Sequence, residues 1–465
     1  MLVGALALCV DRAHNGDVYM SLLGGRFISA NGFVTHDPFP TIAQGGEWLN
    51  QQWLSQVAFF RVEDVLGQTG LTVLYAVLLA VPLALLLWLC RRKGAAMLIA
   101  LTVAYFPGVL AVIHPRAAGF TVLAFSMLVA LIAVAWRGRS GERGRRRRIA
   151  VAVFAILGLF AVWANLHGGF VAGLLLIALV TLGLAIDRLR GVPGTASIPR
   201  VATLPLIGVL ATVTVTLATP LGGEIWSYLL SFQNAAIDHA SQEWRSALHN
   251  PLAAGYVLIV GLFAVWMWLR SPRPRWVTTL LVSVGFAAFA MLSLRNLIFV
   301  APALAFQIAW STPDRAAQTL RLPIAVAGSA AIGALFVWAA FLGPAKADSY
   351  LRSPVVEYAL AHPPENGKIV TYAGVGSYML WRLPDAPVAV NGWLEHFSKQ
   401  QLDDTYGVLR GYTPDLLGAV ERLQIGAVIA HLPPAIRRLE EIGFWRAFTD
   451  AEGNAYLVRA PTPRG

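Results

Sequence analysis

The acidic side chains Asp17, Asp37 and Glu47 fall in a polar stretch from His14 to Gly70, beside Tyr19, His36, Trp48 and Trp53. An ionised carboxylate can take a proton from a reacting hydroxyl. Carboxylates held at the edge of a membrane mark a site before anything else is known. Asp17 is the first candidate. It also suits the N-cap of a helix starting near Val18, because aspartate there accepts orphan backbone N–H groups, and capping does not exclude catalysis. Asp37 precedes Pro38 and is equally suited to a turn. Trp48 and Trp53 read as belt residues at the headgroup level, with a pocket-shaping role as the alternative.

A second polar set stands at the ends of apolar runs: His114-Pro115-Arg116, Asn165-Leu166-His167-Gly168, Glu243-Trp244 and Arg295-Asn296. Ionisable groups at such depth line cavities or pair with one another. The competing reading is that Arg116 and Arg295 snorkel to the interface and that His114 and His167 are interfacial hydrogen-bonders.

The elements that must position these residues are membrane spans. Of 465 residues, 57% are hydrophobic and only 13% charged, and mean hydropathy is +0.61, which excludes an ordinary soluble domain. Apolar segments fall at about 1–13, 70–90, 97–113, 117–136, 149–164, 169–186, 201–219, 252–269, 276–293, 296–311 and 323–342. The first is short for a span, which needs about 20 residues, so the expected true start lies upstream of Met1. No basic stretch precedes it, and no cleavable signal peptide is expected. Two cysteines, Cys9 and Cys90, make neither a disulfide framework nor a metal motif.

The net charge of +11 does not imply nucleic acid, since most of the excess lies in short loops between apolar runs. With eleven spans and the N-terminus inside, the inside loops carry eighteen Lys and Arg against six in the outside segments before residue 343. The positive-inside rule then puts the opening loop, 14–69, and everything after residue 343 outside. The run from 137 to 148, with seven arginines, reads as a topological signal in preference to a specific anionic-lipid site.

After Gly343 the apolar runs shorten to strand length. KIVTY (368–372), APVAVNG (386–392) and IGAVIAHL (425–432) read as buried strands, and residues 353–362, 376–383 and 414–423 have helical spacing. The end reads as a hairpin around Glu452-Gly453-Asn454. The expected architecture is a polytopic α-helical membrane protein over 1–343, its opening loop bearing interfacial helices, followed by an extracytoplasmic α/β domain over 344–465. Neither a P-loop nor a dinucleotide fingerprint occurs in this tail.

The order Asp17-x-Tyr19, Gly25-Arg26-x-Ile28, Asp37-Pro38-Phe39, Trp48-x-x-Gln51-x-Trp53-Leu54, Gly67-x-x-Gly70-Leu71 resembles a large group of bacterial polytopic proteins. The later Trp163-Ala164-Asn165-x-His167-Gly168-Gly169, Glu243-Trp244, Arg295-Asn296 and the α/β tail resemble the same group. It is similar to the GT-C superfamily of integral membrane glycosyltransferases, the protein mannosyltransferase-like and lipid A sugar transferase-like enzymes among them. The resemblance implies a bacterial cytoplasmic-membrane enzyme that moves a sugar from a polyprenyl-phosphate donor to an extracytoplasmic glycan, lipid or protein. It makes Asp17, with Asp37, the catalytic carboxylates. It makes Tyr19, Gln52, His114, Arg116, Asn165, His167, Glu243 and Arg295 the substrate-binding set, with Arg116 or Arg295 on the phosphate. Implied partners are the lipid-linked donor and membrane lipids. No cofactor is called for, and a divalent ion is compatible with the chemistry without being indicated. The chain departs from the group at Gln51-Gln52, where His-Glu is usual, and at Asn391-Gly392-Trp393, where Asp-x-Arg is usual. The missing acid opens a second reading, a non-catalytic scaffold on the same fold. A transporter or flippase is the third, disfavoured because no internal repeat is found and the polar groups sit at span ends.

Overall fold

The computed structural model describes residues 15–111, 114–137, 142–192, 198–231, 245–272, 275–312 and 350–459. Nine of the eleven expected spans fall there. Among the described residues six helices are long and apolar enough to cross a membrane, and three shorter helices are apolar as well. The expected spans at 1–13 and 323–342, like Glu243, lie outside the described residues.

The opening segment is helical at both ends. Helix α1 (Gly16–Asn31) is capped by Asn15, whose Oδ1 accepts the Val18 N–H at 3.0 Å, so the cap expected of Asp17 belongs to its neighbour. That leaves the Asp17 carboxylate in the first turn, uncommitted to the cap. Helix α2 (Trp53–Cys90) breaks at Gly67, which has φ +61°, a conformation that costs glycine little and other residues more. The break separates a short helix beside α1 from the long apolar span that follows.

Helices α3 (Ala95–Ala111), α4 (Ala118–Arg137), α5 (Glu142–Leu166), α6 (Phe170–Leu189), α7 (Ile198–Ala218), α8 (Glu224–Ser231), α9 (Pro251–Arg270), α10 (Val277–Leu292) and α11 (Val300–Ser311) complete the described bundle. Polar side chains pin its ends. Buried Asp187, at the end of α6, accepts the Val277 and Thr278 N–H groups at 2.7 and 3.0 Å and so caps α10 from outside it.

The tail holds helices α12 (Pro354–Ala361), α13 (Ala373–Arg382), α14 (Lys399–Arg410), α15 (Leu416–Arg422) and α16 (Pro433–Glu441) around strands β1 (Lys368–Val370), β2 (Ile425–Ala430), β3 (Phe444–Thr449) and β4 (Ala455–Arg459). The sheet order is β1-β2-β4-β3, with β1 and β2 parallel and the rest antiparallel. All six residues of β2 are buried, as expected of a central strand. The segment 386–392 differs from the expected strand. It meets β1 through one bridge, Ile369 to Val388, because Pro387 has no N–H to extend the ladder. Helices α14 and α16 were not legible as apolar runs, though the Ser398–Gln401 capping box and the Pro433-Pro434 start are signals for them.

Opening segment and tail are joined over a broad face. Arg26 donates to the Trp381 and Leu380 carbonyls at 3.0 and 3.2 Å, and Lys368 donates to the Pro40 carbonyl at 2.9 Å. Gly16 meets Gly374 so closely that a β-carbon would collide with its backbone. Most of α1 is enclosed between α2 and the tail instead of lying open along a surface. One apolar core runs from the bundle through α1 into the tail, and a second lies wholly within the tail apart from flanking Ile42 and Ala43.

Candidate functional site

Side chains from five separate segments converge where the bundle meets the opening segment and the tail. Asp17 stands on α1 with its side chain 48% exposed, and its Oδ2 lies 3.8 Å from a guanidinium nitrogen of Arg116. That distance and exposure make a loose, wet ion pair, worth about 1 kcal/mol or less, in which the carboxylate stays reachable. Arg116 lies in the turn before α4, with half-buried His114 two residues earlier.

His167 occupies the turn between α5 and α6. Its Nδ1 is 2.8 Å from the Thr121 hydroxyl and its Nε2 is 3.2 Å from a guanidinium nitrogen of Arg295. Burial first, then the charges of Arg295 and Arg116, hold the imidazole well below its ordinary pKa. The ring is therefore neutral, and Nε2 can accept from Arg295. Gly169 is required here, since a side chain would run into Thr121. Gln51 borders the same turn. It is 7% exposed, its Nε2 approaches Gly168, and its Oε1 is buried without a hydrogen-bond partner.

The tail contributes Glu395, in a short turn of helix at Leu394–His396. The Tyr228 hydroxyl of α8 lies 3.5 Å from its Oε1, a long contact, and the charge of Arg295 acts on both groups. Burial raises the Glu395 carboxyl above the usual range, with His396 and Arg295 pulling the other way. Neither Glu395 nor Tyr228 stood out in the sequence, because a lone acid in a tail and a lone tyrosine after a span carry no spacing signal.

The other candidates are committed elsewhere. Asp37 is 2% exposed. Its Oδ1 accepts the Phe39 N–H at 2.9 Å and its Oδ2 is 2.9 Å from Nδ1 of His396. Tyr19 is 1% exposed, accepts from Arg352 at 2.8 Å and packs edge-on against Tyr378. The Asn165 amide accepts from Trp53 Nε1 at 2.8 Å and donates to the Ala161 and Ala218 carbonyls, so it ties three helices together. Gln52 is half-buried and forms no side-chain cap on α2. Trp48 is no belt residue. At 1% exposure it packs edge-on to Trp393 and Phe39, which stack on each other at 5.0 Å, because the tail covers the face that membrane would otherwise meet. Among the described residues no three His, Cys, Asp or Glu side chains gather as a metal site.

No protein-family model and no curated protein matches the chain. Solved structures do. ArnT from Cupriavidus metallidurans bound to undecaprenyl phosphate aligns at 12% identity with a TM-score of 0.57, over 99% of this chain and 98% of that one. ArnT from the same organism in the apo state aligns over the same shares at 12% identity and 0.55. The Archaeoglobus fulgidus oligosaccharyltransferase tethered with an acceptor peptide aligns at 12% identity and 0.52, over 99% of this chain and 74% of that one. At this identity the likeness is one of fold. The chain shares the polytopic helical fold of these structures and is a multi-pass membrane protein.

Proposed function

We propose that this chain is a membrane glycosyltransferase that moves a sugar from a polyprenyl-phosphate donor to an acceptor hydroxyl on the side of the tail. The observation that carries the reading is the placing of a half-exposed Asp17 carboxylate beside Arg116, in one cluster with His167 and Arg295. The fold shared with ArnT bound to undecaprenyl phosphate supports the donor class. In this reading Asp17 takes the proton from the acceptor hydroxyl as it attacks the anomeric carbon. Arg295, braced by neutral His167, and Arg116 hold the donor phosphate and stabilise the charge that grows on it as the glycosidic bond breaks. A guanidinium matches phosphate with two parallel N–H donors, which an ammonium cannot do. Asp37 keeps the opening segment against His396 and the tail and takes no proton from substrate.

Gln51-Gln52 supports a second reading, a scaffold that keeps the fold without turnover, since the half-buried amide of Gln52 stands where the group carries an acid. Release of polyprenyl phosphate from a panel of lipid-linked sugars in reconstituted membranes separates the two. Asp17→Asn is expected to lower turnover by about 10²–10⁴-fold with the fold intact. Arg295→Ala is expected to weaken donor binding and turnover together. Full activity of Asp17→Asn would remove the base assignment, and no turnover with any donor would favour the scaffold.

A further inference from the structure

At the end of the bundle away from Asp17 and the tail, a groove of about 360 Å³ opens between α2, α4 and α5. Leu85 and Trp88 wall one side, Val151 the other, and Met127 and Val134 its rim, with alanines along the floor. These walls face outward, Trp88 being 49% exposed, Val134 43% and Val151 62%. The lining has one polar member, Arg148, and no carboxylate. At the same end Arg91, which follows α2 and lies outside the lining, donates to the Trp88 carbonyl at 2.7 Å with its guanidinium 4.6 Å over the Trp88 ring, and the exposed Arg146 and Arg147 precede Arg148 on α5.

An apolar trough with guanidiniums at one mouth has the chemistry of an acyl chain ending in a phosphate. We propose that this groove binds one chain of an anionic phospholipid from the adjoining leaflet, its phosphate held between Arg148 and Arg91. Arg148, the last of the charge run, then serves a specific lipid site in addition to helping orient the chain. Several basic groups near a membrane surface favour anionic over zwitterionic lipid, and burying an acyl chain against Trp88 and Val151 adds an apolar term that a bare charge patch lacks. The site stands apart from the transfer chemistry and does not depend on it.

Native mass spectrometry of the full chain, released from micelles holding phosphatidylglycerol and phosphatidylcholine of equal chain length, reads the site directly. Wild type is expected to retain one phosphatidylglycerol in preference by ~tenfold or more, as two guanidiniums at a lipid phosphate imply. Arg91→Ala with Arg148→Ala should abolish the preference. Val134→Trp, which fills the groove at an outward-facing position and leaves every charge in place, should reduce retention as well. Excess inorganic phosphate should leave the lipid bound. Equal retention of both lipids by wild type would overturn the proposal. So would loss in the arginine variant with Val134→Trp unchanged, which would mean surface attraction alone, or displacement by inorganic phosphate, which would mean an anion site alone. Thermal melts of each variant in detergent establish that it is folded before its lipid content is read.

Discussion

Asp17 and Asp37 lie in the same polar stretch and have opposite surroundings, and their roles diverge accordingly. Asp17 keeps a half-exposed carboxylate beside Arg116, and Asn15 takes the capping hydrogen bond. Asp37 is sealed by Phe39, His396 and the tail. Glu395 is the residue whose environment makes the sharpest prediction. Burial raises its carboxyl, so the folded protein holds that proton more tightly than the unfolded chain does. Such a group favours folding below its unfolded pKa of about 4.3, and that contribution is lost as pH rises through the folded pKa. Glu395→Gln removes the ionisation. Its melting temperature relative to wild type should therefore climb as pH goes from the acid range to neutrality. Melts in detergent across that range check this, and a difference independent of pH would mean that Glu395 titrates as an ordinary surface acid.

Among the elements, α10 takes its N-terminal cap from a side chain elsewhere. Asp187 is wholly buried, and besides the two backbone N–H groups it accepts the Thr278 hydroxyl at 2.6 Å. Asp187→Ala leaves those donors without an acceptor away from water, which costs about 1–3 kcal/mol. The expected outcome is a lower melting temperature, with Asp187→Asn, which keeps one acceptor oxygen, intermediate between the two. An unchanged melt for Asp187→Ala would mean that the end of α10 is satisfied by water. Local rules set several element boundaries. Gly67 breaks α2, the Ser398–Gln401 box starts α14, and Gly411 at φ +72° ends it. The boundaries were not legible at 386–392, where alternation suggests a strand and the missing N–H of Pro387 prevents a ladder.

For the whole molecule, the charge asymmetry across the loops makes a single orientation the expected one. A cysteine placed in an exposed position of the tail, such as Asp385, should react with an impermeant thiol reagent from outside intact cells, and one placed at Gly144 should not. The reverse pattern would turn the molecule over and move the proposed transfer to the other side of the membrane. The candidate site needs this orientation, since Asp17, Arg116, His167, Arg295 and Glu395 all gather at the tail end of the bundle.

Membrane spans and the sheet-bearing tail were readable in the linear chain because hydrophobic length and periodicity are local quantities. A run long enough to cross hydrocarbon, or five buried residues between turns, declares itself without knowledge of its neighbours. Asp17, Arg116, His167 and Arg295 were readable as polar residues at span ends, where ionisable groups are costly unless used. Their pairing was not, because it depends on which helices lie side by side. Nor could the sequence say that Trp48 faces Trp393 instead of lipid, that Asp37 holds His396, or that Glu395 enters from more than two hundred residues beyond the turn that carries His167. Each of those follows from the tail closing over the opening segment. That closure is driven by apolar and aromatic surface buried on both partners at once, a sum that no single stretch of the chain contains.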